Sequence, residues 1–339
     1  TLLLAQIVFT REGEFNPRFL LLEVVLLAGV LRLSALYTSA SLIGIDVWTH
    51  QRLVQQIVAA GSLDAIADNK HYVAPLYHLL VASTSMFAGV SLTSALYLSL
   101  GLVMPVSVVF VYSATRFVVS SRWAVFAALV YALADYAIEW GIHLIPTSMG
   151  LVFFLGVVYA LVRVMQTDYR NRDFGVLVLL TLAVIFTHQV SSFIMIVLLG
   201  AGVVAQFLLN RDLFRRSPLS SDIFATVGPV NLVGLAVFDL GVLTFMWSFT
   251  PYRGDSFLAT VGSFFVETVF ADAGFLNLAN PSPSPGGAGR PPTFVEVVAA
   301  YVDATGFLVL LLTTVVGGLY VLRRERAKHA AYTLVVATA

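Results

Sequence analysis

The sequence predicts an all-α polytopic membrane protein, and three observations carry that. Of 339 residues, 59% are apolar and only 11% are charged, where a soluble domain carries about 25% charge. Mean hydropathy is +0.90. The apolar residues also fall in runs close to the ~20 residues that a spanning helix needs. A core hiding this much apolar surface would leave too little polar surface to face water, which excludes a soluble globular domain. Disorder is excluded too, because disordered chains are poor in large apolar residues.

Candidate spans lie at about 19–37, 93–114, 122–138, 145–166, 174–188, 191–209, 225–249 and 303–322. The runs at 1–9 and 330–339 look like spans cut short, so the chain is expected to be a piece of something longer. No cleavable signal peptide is visible. A single transmembrane domain over 1–339 is expected, without an internal repeat.

The run 73–90 is ambiguous, since it holds Pro75, His78 and several Ser and Thr. Charge decides its role. If it does not cross, 14 of the 19 Lys and Arg fall on one face, as the positive-inside rule requires. If it crosses, they split between the faces. The expectation is therefore an apolar helix lying along the surface. The first outer loop (38–92), the turn at 138–144, the turn near His188 and the last outer loop (250–302) then share the non-cytoplasmic face. Within that last loop, 256–270 reads as an interfacial helix, and PSPSPGGAGRPP at 281–292 as a low-complexity loop.

Basic and acidic residues number 19 each, for a net charge of zero, so nothing points to nucleic acid. Cysteine is absent, which removes disulfides and thiolate metal sites. There is no Walker A lysine loop, no G-x-S-x-G and no H-E-x-x-H, so ATP-driven and simple protease chemistries lack their motifs.

The first outer loop opens with Gly44-Ile45-Asp46-Val47-Trp48-Thr49-His50, and 46–60 has amphipathic helical spacing. Asp46 and His50 stand four residues apart and share a helix face. Such a pair can hold a divalent cation or relay a proton. The plainer alternative is that Asp46 caps the helix and His50 packs at the interface. Further on comes Lys70-His71-Tyr72-Val73-Ala74-Pro75-Leu76-Tyr77-His78.

The order of these features resembles the GT-C glycosyltransferases: a span, an outer-loop Asp opening an amphipathic helix, a Lys, a Pro-Leu-aromatic turn, then an apolar surface helix. That family includes oligosaccharyltransferases, protein mannosyltransferases and the aminoarabinose transferases of lipid A. The resemblance covers about residues 19–210 and implies a GT-C-like bundle of about 8–10 transmembrane helices with interfacial helices in the first outer loop. It implies transfer of a sugar from a polyprenyl-phosphate donor to a lipid, glycan or protein acceptor on the non-cytoplasmic side; the membrane itself is expected to be a prokaryotic cell membrane. Asp46 maps onto the family's catalytic or metal-binding Asp, and Lys70 onto the Lys that meets the carrier phosphate. Here His71 to Ala74 stand between that Lys and the turn, and one Pro is lacking.

A second family acid is expected near Asp135-Tyr136-Ala137-Ile138-Glu139-Trp140-Gly141-Ile142-His143-Leu144-Ile145. Its position holds Leu144 or Ile145, which either speaks against metal dependence or moves the role to Glu139 or His143. Asp46, Glu139 and His143 are thus the catalytic candidates, and also the ligands for a possible Mg or Mn, which oxygen and imidazole donors suit. The alternative is a solvated helix end. His50, His188 and Arg253 join Lys70 as substrate-binding candidates; an Arg can grip a phosphate through two hydrogen bonds, or anchor at the headgroups. Asp239 lies at mid-span, where an ionisable group must face protein or water. A secondary transporter or flippase would use such a residue, and a non-catalytic subunit on a GT-C-like scaffold is the third reading.

Overall fold

The computed structural model describes residues 2–39, 42–166, 171–210, 232–252 and 255–270, with separate positions between 293 and 317. The described chain is mostly helical. Among the described residues, three helical stretches are long and apolar enough to cross a membrane, Pro17–Thr38, Leu92–Arg116 and Pro146–Val164, with a fourth if a bent helix pair is one span.

Helix α1 (Leu2–Phe9) leads into α2 (Pro17–Thr38). The α2 start is set by Asn16, whose side chain accepts from the N–H groups of Arg18 and Phe19, with Pro17 in the first turn; both are N-terminal signals. Its 22 residues reach about 33 Å. Leu20, Val24, Ala28 and Ala35 are buried, while Leu22, Leu26 and Val30 face outward. A helix apolar on every side belongs in hydrocarbon.

Loop 38–92 folds into α3 (Asp46–Ala60), two 3₁₀ turns (Leu63–Ile66 and Lys70–Val73) and α4 (Leu76–Ala88). The 13 residues of α4 span about 20 Å, short of the ~30 Å hydrocarbon core. The stretch Leu92–Arg116 follows as α5 (Leu92–Leu96), a π turn (Tyr97–Gly101), a 3₁₀ turn (Met104–Val106) and α6 (Ser107–Arg116). Pro105 lacks an N–H for the helical ladder, and irregular turns absorb the defect. A side chain at Gly29 would sit 3.7 Å from the Pro105 ring, so α2 runs close against this break.

The run 122–138, expected as one span, is instead α7 (Ser121–Leu133) and α8 (Asp135–His143), bent by 58°. Ala134 between them is extended. A side chain of α2 meets the break. Arg32 is buried and donates to the carbonyls of Ala28 at 3.2 Å and Ala132 at 3.4 Å. It thus serves one of the free C-terminal carbonyls of α7. Gly141 on α8 supplies the room, since a Cβ there would lie 2.6 Å from Arg32 Cγ.

Helices α9 (Pro146–Gln166), α10 (Asn171–Ile185), α11 (Gln189–Asn210) and α12 (Leu232–Ser248) follow. They bury a common core that includes Val157, Leu161, Leu177, Val184, Met195 and Leu232. Asp239 is buried on α12 and accepts from Thr181 Oγ1 at 2.9 Å. A two-stranded hairpin (β1, Pro251–Tyr252; β2, Asp255–Ser256) leads to α13 (Phe257–Phe270), so the expected helix over 256–270 forms. The expected spans at 225–249 and 303–322 lie partly outside the described residues, and the loop 281–292 and the run 330–339 wholly so.

The two ends of the bundle differ. At one, Arg122 donates to the carbonyls of Ile7 and Thr10 and closes the end of α1, a favourable place for a cation. Arg163 pairs with Asp173 at 3.4 Å across the α9–α10 connection. The other end gathers loop 38–92, the α8–α9 turn and the α10–α11 turn.

Candidate functional site

Three backbone-directed bonds hold that second end together. Leu76 N–H donates to Phe186 O at 2.9 Å. Gln189 Nε2 donates to Lys70 O at 3.1 Å. Tyr77, fully buried, donates its hydroxyl to Leu144 O at 2.8 Å. Loop 38–92 is thereby fastened to both later turns.

Two sites result. The first is a cleft of about 470 Å³ lined by residues 43–47 with Trp140, His143 and Ile145. It brings Asp46 and His143 together from segments about a hundred positions apart in sequence, two of the three expected catalytic residues. Asp46 is exposed. The capping position of α3 is Ile45, without a side-chain cap, so Asp46 stands in the first helical turn, where the helix dipole favours a carboxylate. Gly44 has φ +97°, and a Cβ on it would lie 3.4 Å from the His143 ring. The backbone before Asp46 therefore lies directly on that imidazole, with Trp140 packed edge-on against it at 5.8 Å. Glu139 is exposed one turn earlier on α8 and does not line the cleft.

Leu144, where the resemblance leads one to expect an acid, has a structural task. It is buried with φ +48°, the one non-glycine residue with positive φ among those described. The left-handed turn ends α8 and lets α9 start at Pro146. Ser148 Oγ accepts from Ile145 N–H and donates to Trp140 O, closing the turn.

The second site is a group of imidazoles. Asp46 and His50 share α3 but not an environment, since His50 points inward and is buried. Its Nδ1 lies 3.1 Å from Nε2 of His78, itself fully buried on α4. His71 completes a triad, with ring centroids 4.7 Å from His50 and 5.3 Å from His78. Burial is the main force holding all three imidazoles down to about 3, with each other and, for His50 and His71, Lys70 adding to it. They are neutral at physiological pH. Burial also raises the Tyr77 hydroxyl above its usual value.

His188 lies beside this group and is committed on both nitrogens. Ser191 N–H donates to Nδ1 at 3.2 Å. The neutral ring therefore carries its proton on Nε2 and donates to Thr147 Oγ1 at 3.0 Å. Burial, then Lys70, lowers it to about 4. The ring ties α9 to α11; Gly150 gives it space, since a Cβ there would meet Ser191 Oγ at 2.6 Å. The Lys70 ammonium lies 5.9 Å from the centre of the Phe257 ring, which adds the start of α13 to the same wall. Arg253 lies outside the described residues.

The reading of the sequence did not single out His71, His78 or Tyr77 as functional. Their spacing carries no fixed geometry, because a 3₁₀ turn and Pro75 stand between His71 and His78. The density of imidazole and aromatic rings over 70–78 was the available signal.

No protein-family model and no curated protein matches the chain. What the fold itself defines is a helical membrane protein with a polar site at one end of its bundle.

Proposed function

We propose that the chain is a GT-C-like membrane glycosyltransferase, a bundle of about 8–10 spans in a prokaryotic cell membrane. It moves a sugar from a polyprenyl-phosphate donor to a lipid, glycan or protein acceptor on the non-cytoplasmic face. The observation that carries this reading is the cleft joining Asp46 to His143. It sets a carboxylate and an imidazole around one cavity, at the end of the bundle where the first outer loop docks.

In this reading Asp46 orients the acceptor and takes its proton. His143, held flat by Gly44 and Trp140, is the second polar group facing the reacting centre. Glu139 joins from the rim. The leaving carrier phosphate needs positive charge, which Lys70 and Arg253 supply. Mg or Mn at Asp46, Glu139 and His143 would add Lewis acidity there. Among the described residues, no group of three or more His, Cys, Asp or Glu is arranged to hold a metal as it stands.

The test is transfer from polyprenyl-phosphate sugars by purified protein, with Asp46→Ala as control. Activity lost in the variant supports the assignment. Equal activity in both removes Asp46 from the mechanism.

A further inference from the structure

The His50–His71–His78 triad does nothing for sugar transfer as derived above, and hydrogen bonding does not explain it. The described residues give its three rings one mutual hydrogen bond. His78 Nδ1 is buried with no partner, a costly arrangement for an imidazole. A protein that needed only packing there would do better with a Leu or a Phe. Imidazoles buried with a nitrogen left unpartnered point to a ligand that uses their lone pairs.

The distances name that ligand. With metal–nitrogen bonds of about 2.0–2.1 Å, two ligating nitrogens of a tetrahedral site stand roughly 3.3 Å apart. His50 Nδ1 and His78 Nε2 stand 3.1 Å apart. Ring centres around such a site are separated by about 5 Å by the same geometry. Those of the triad are separated by 4.7, 5.2 and 5.3 Å. The shortfall is His71, whose nitrogens do not converge with the other two as the rings stand. It is the least buried of the three, and no hydrogen bond to its ring fixes its rotamer among the described residues.

We propose that His50, His71 and His78 bind a borderline divalent ion of the zinc class. A turn of the His71 ring completes a three-nitrogen set and leaves one position for water. All-nitrogen ligation selects Zn or Co over Mg, which demands oxygen. All three rings are neutral at physiological pH, the form that ligates. The proton between His50 and His78 moves to a far ring nitrogen, so both facing lone pairs reach the metal and no net proton is released. The ion would lock α3, the Lys70–Val73 turn and α4 into one unit. Lys70 opposes it, since its charge already disfavours protonation of His50 and His71.

The experiment uses the whole chain in detergent, stripped with chelator and titrated with Co²⁺, read by visible absorption and competed with Zn²⁺. The expected result is one strongly absorbing, four-coordinate Co²⁺ per chain, with affinity lowered about 10–100-fold or more in His71→Ala and His78→Ala, the scale on which even outer-shell ligand changes act. His71→Ala removes the least buried ligand, so the test survives if His78→Ala fails to fold. Lys70→Gln should bind more tightly. Asp46→Ala and His143→Ala should leave that absorption band intact, which separates this site from the cation proposed for transfer. Absence of stoichiometric binding, unchanged affinity in His71→Ala, or loss through Asp46→Ala alone would each overturn the proposal.

Discussion

The hydroxyl of Tyr77 reaches the carbonyl of Leu144 across 67 positions of sequence, at 2.8 Å. That bond supports a residue held in a conformation it would not choose. Leucine at φ +48° carries a steric cost of about 1–2 kcal/mol, and the turn it makes directs His143 into the cleft. Tyr77→Phe leaves the Leu144 carbonyl buried and unpaired, and should cost about 1–3 kcal/mol. Thermal melting in detergent checks it. At Leu144 itself, Gly should be no worse than Ala, although it removes more surface, because only Gly relieves the positive φ. If Ala melts clearly higher, the turn stores no strain.

Gly44 is the second constraint on the same imidazole. Gly44→Ala adds a methyl 3.4 Å from the His143 ring at φ +97°. The contact is an ordinary one, but the left-handed backbone opposes any side chain, so a loss of roughly 1–3 kcal/mol is expected. If the cleft is catalytic, transfer should fall more than stability does. An Ala variant with wild-type melting and activity would mean that the Gly44–His143 contact has no part in shaping the cleft.

Arg32 and Gly141 should be coupled. Gly141→Ala places a methyl 2.6 Å from Arg32 Cγ and should cost about 1–3 kcal/mol by overpacking. In an Arg32→Ala background that clash is absent, so the second change should cost little. A double-mutant cycle measures this directly, and additive losses would show that Gly141 is not there for Arg32.

These positions mark what could be read from sequence. Composition and run length are enough to identify a helical membrane protein, since burying a spanning helix is a matter of apolar length. The order of motifs singled out Asp46 and His143, which do line one cleft. It missed the bend at Ala134, because an Arg at mid-span leaves no trace in the hydropathy of a different helix. It paired Asp46 with His50 by helical spacing, but α3 lies between two environments and sends one residue to each. Leu144 looked like a missing acid. Only its backbone angle and its bond from Tyr77 reveal it as a turn.

Stability should fall in acid. His50, His71 and His78 stay neutral in the folded protein down to about 3, and His188 to about 4. Unfolded, each takes a proton near 6.5. Above that value neither state binds the proton and stability is whole. As pH falls from about 6.5, the unfolded chain gains protons the folded one refuses, at up to about 1.4 kcal/mol per pH unit for each ring. The rings interact, so their contributions do not simply add. Melting temperatures from pH 8 to pH 5 should decline, and less steeply in His78→Gln. A flat wild-type profile would mean that the rings are hydrated.

Asp239 offers the test that separates transfer from transport. Its Oδ1 accepts from Thr181, while Oδ2 is buried without a partner. Thr181 also donates to Val178 O at 2.9 Å, so the carboxyl is held by half of one hydroxyl. A transporter would use so poorly satisfied a carboxyl to pick up and release a cation or proton at the midplane. A transferase with its chemistry at Asp46 would use it only to tie α12 to α10. Asp239→Asn keeps the shape and an acceptor for Thr181, and removes the charge. Sugar transfer should then be close to wild type and melting changed little, while Thr181→Val, which strands the carboxyl entirely, should cost about 1–3 kcal/mol. Loss of ion- or proton-driven flux in Asp239→Asn vesicles, with transfer absent from the wild type, would turn the assignment towards transport.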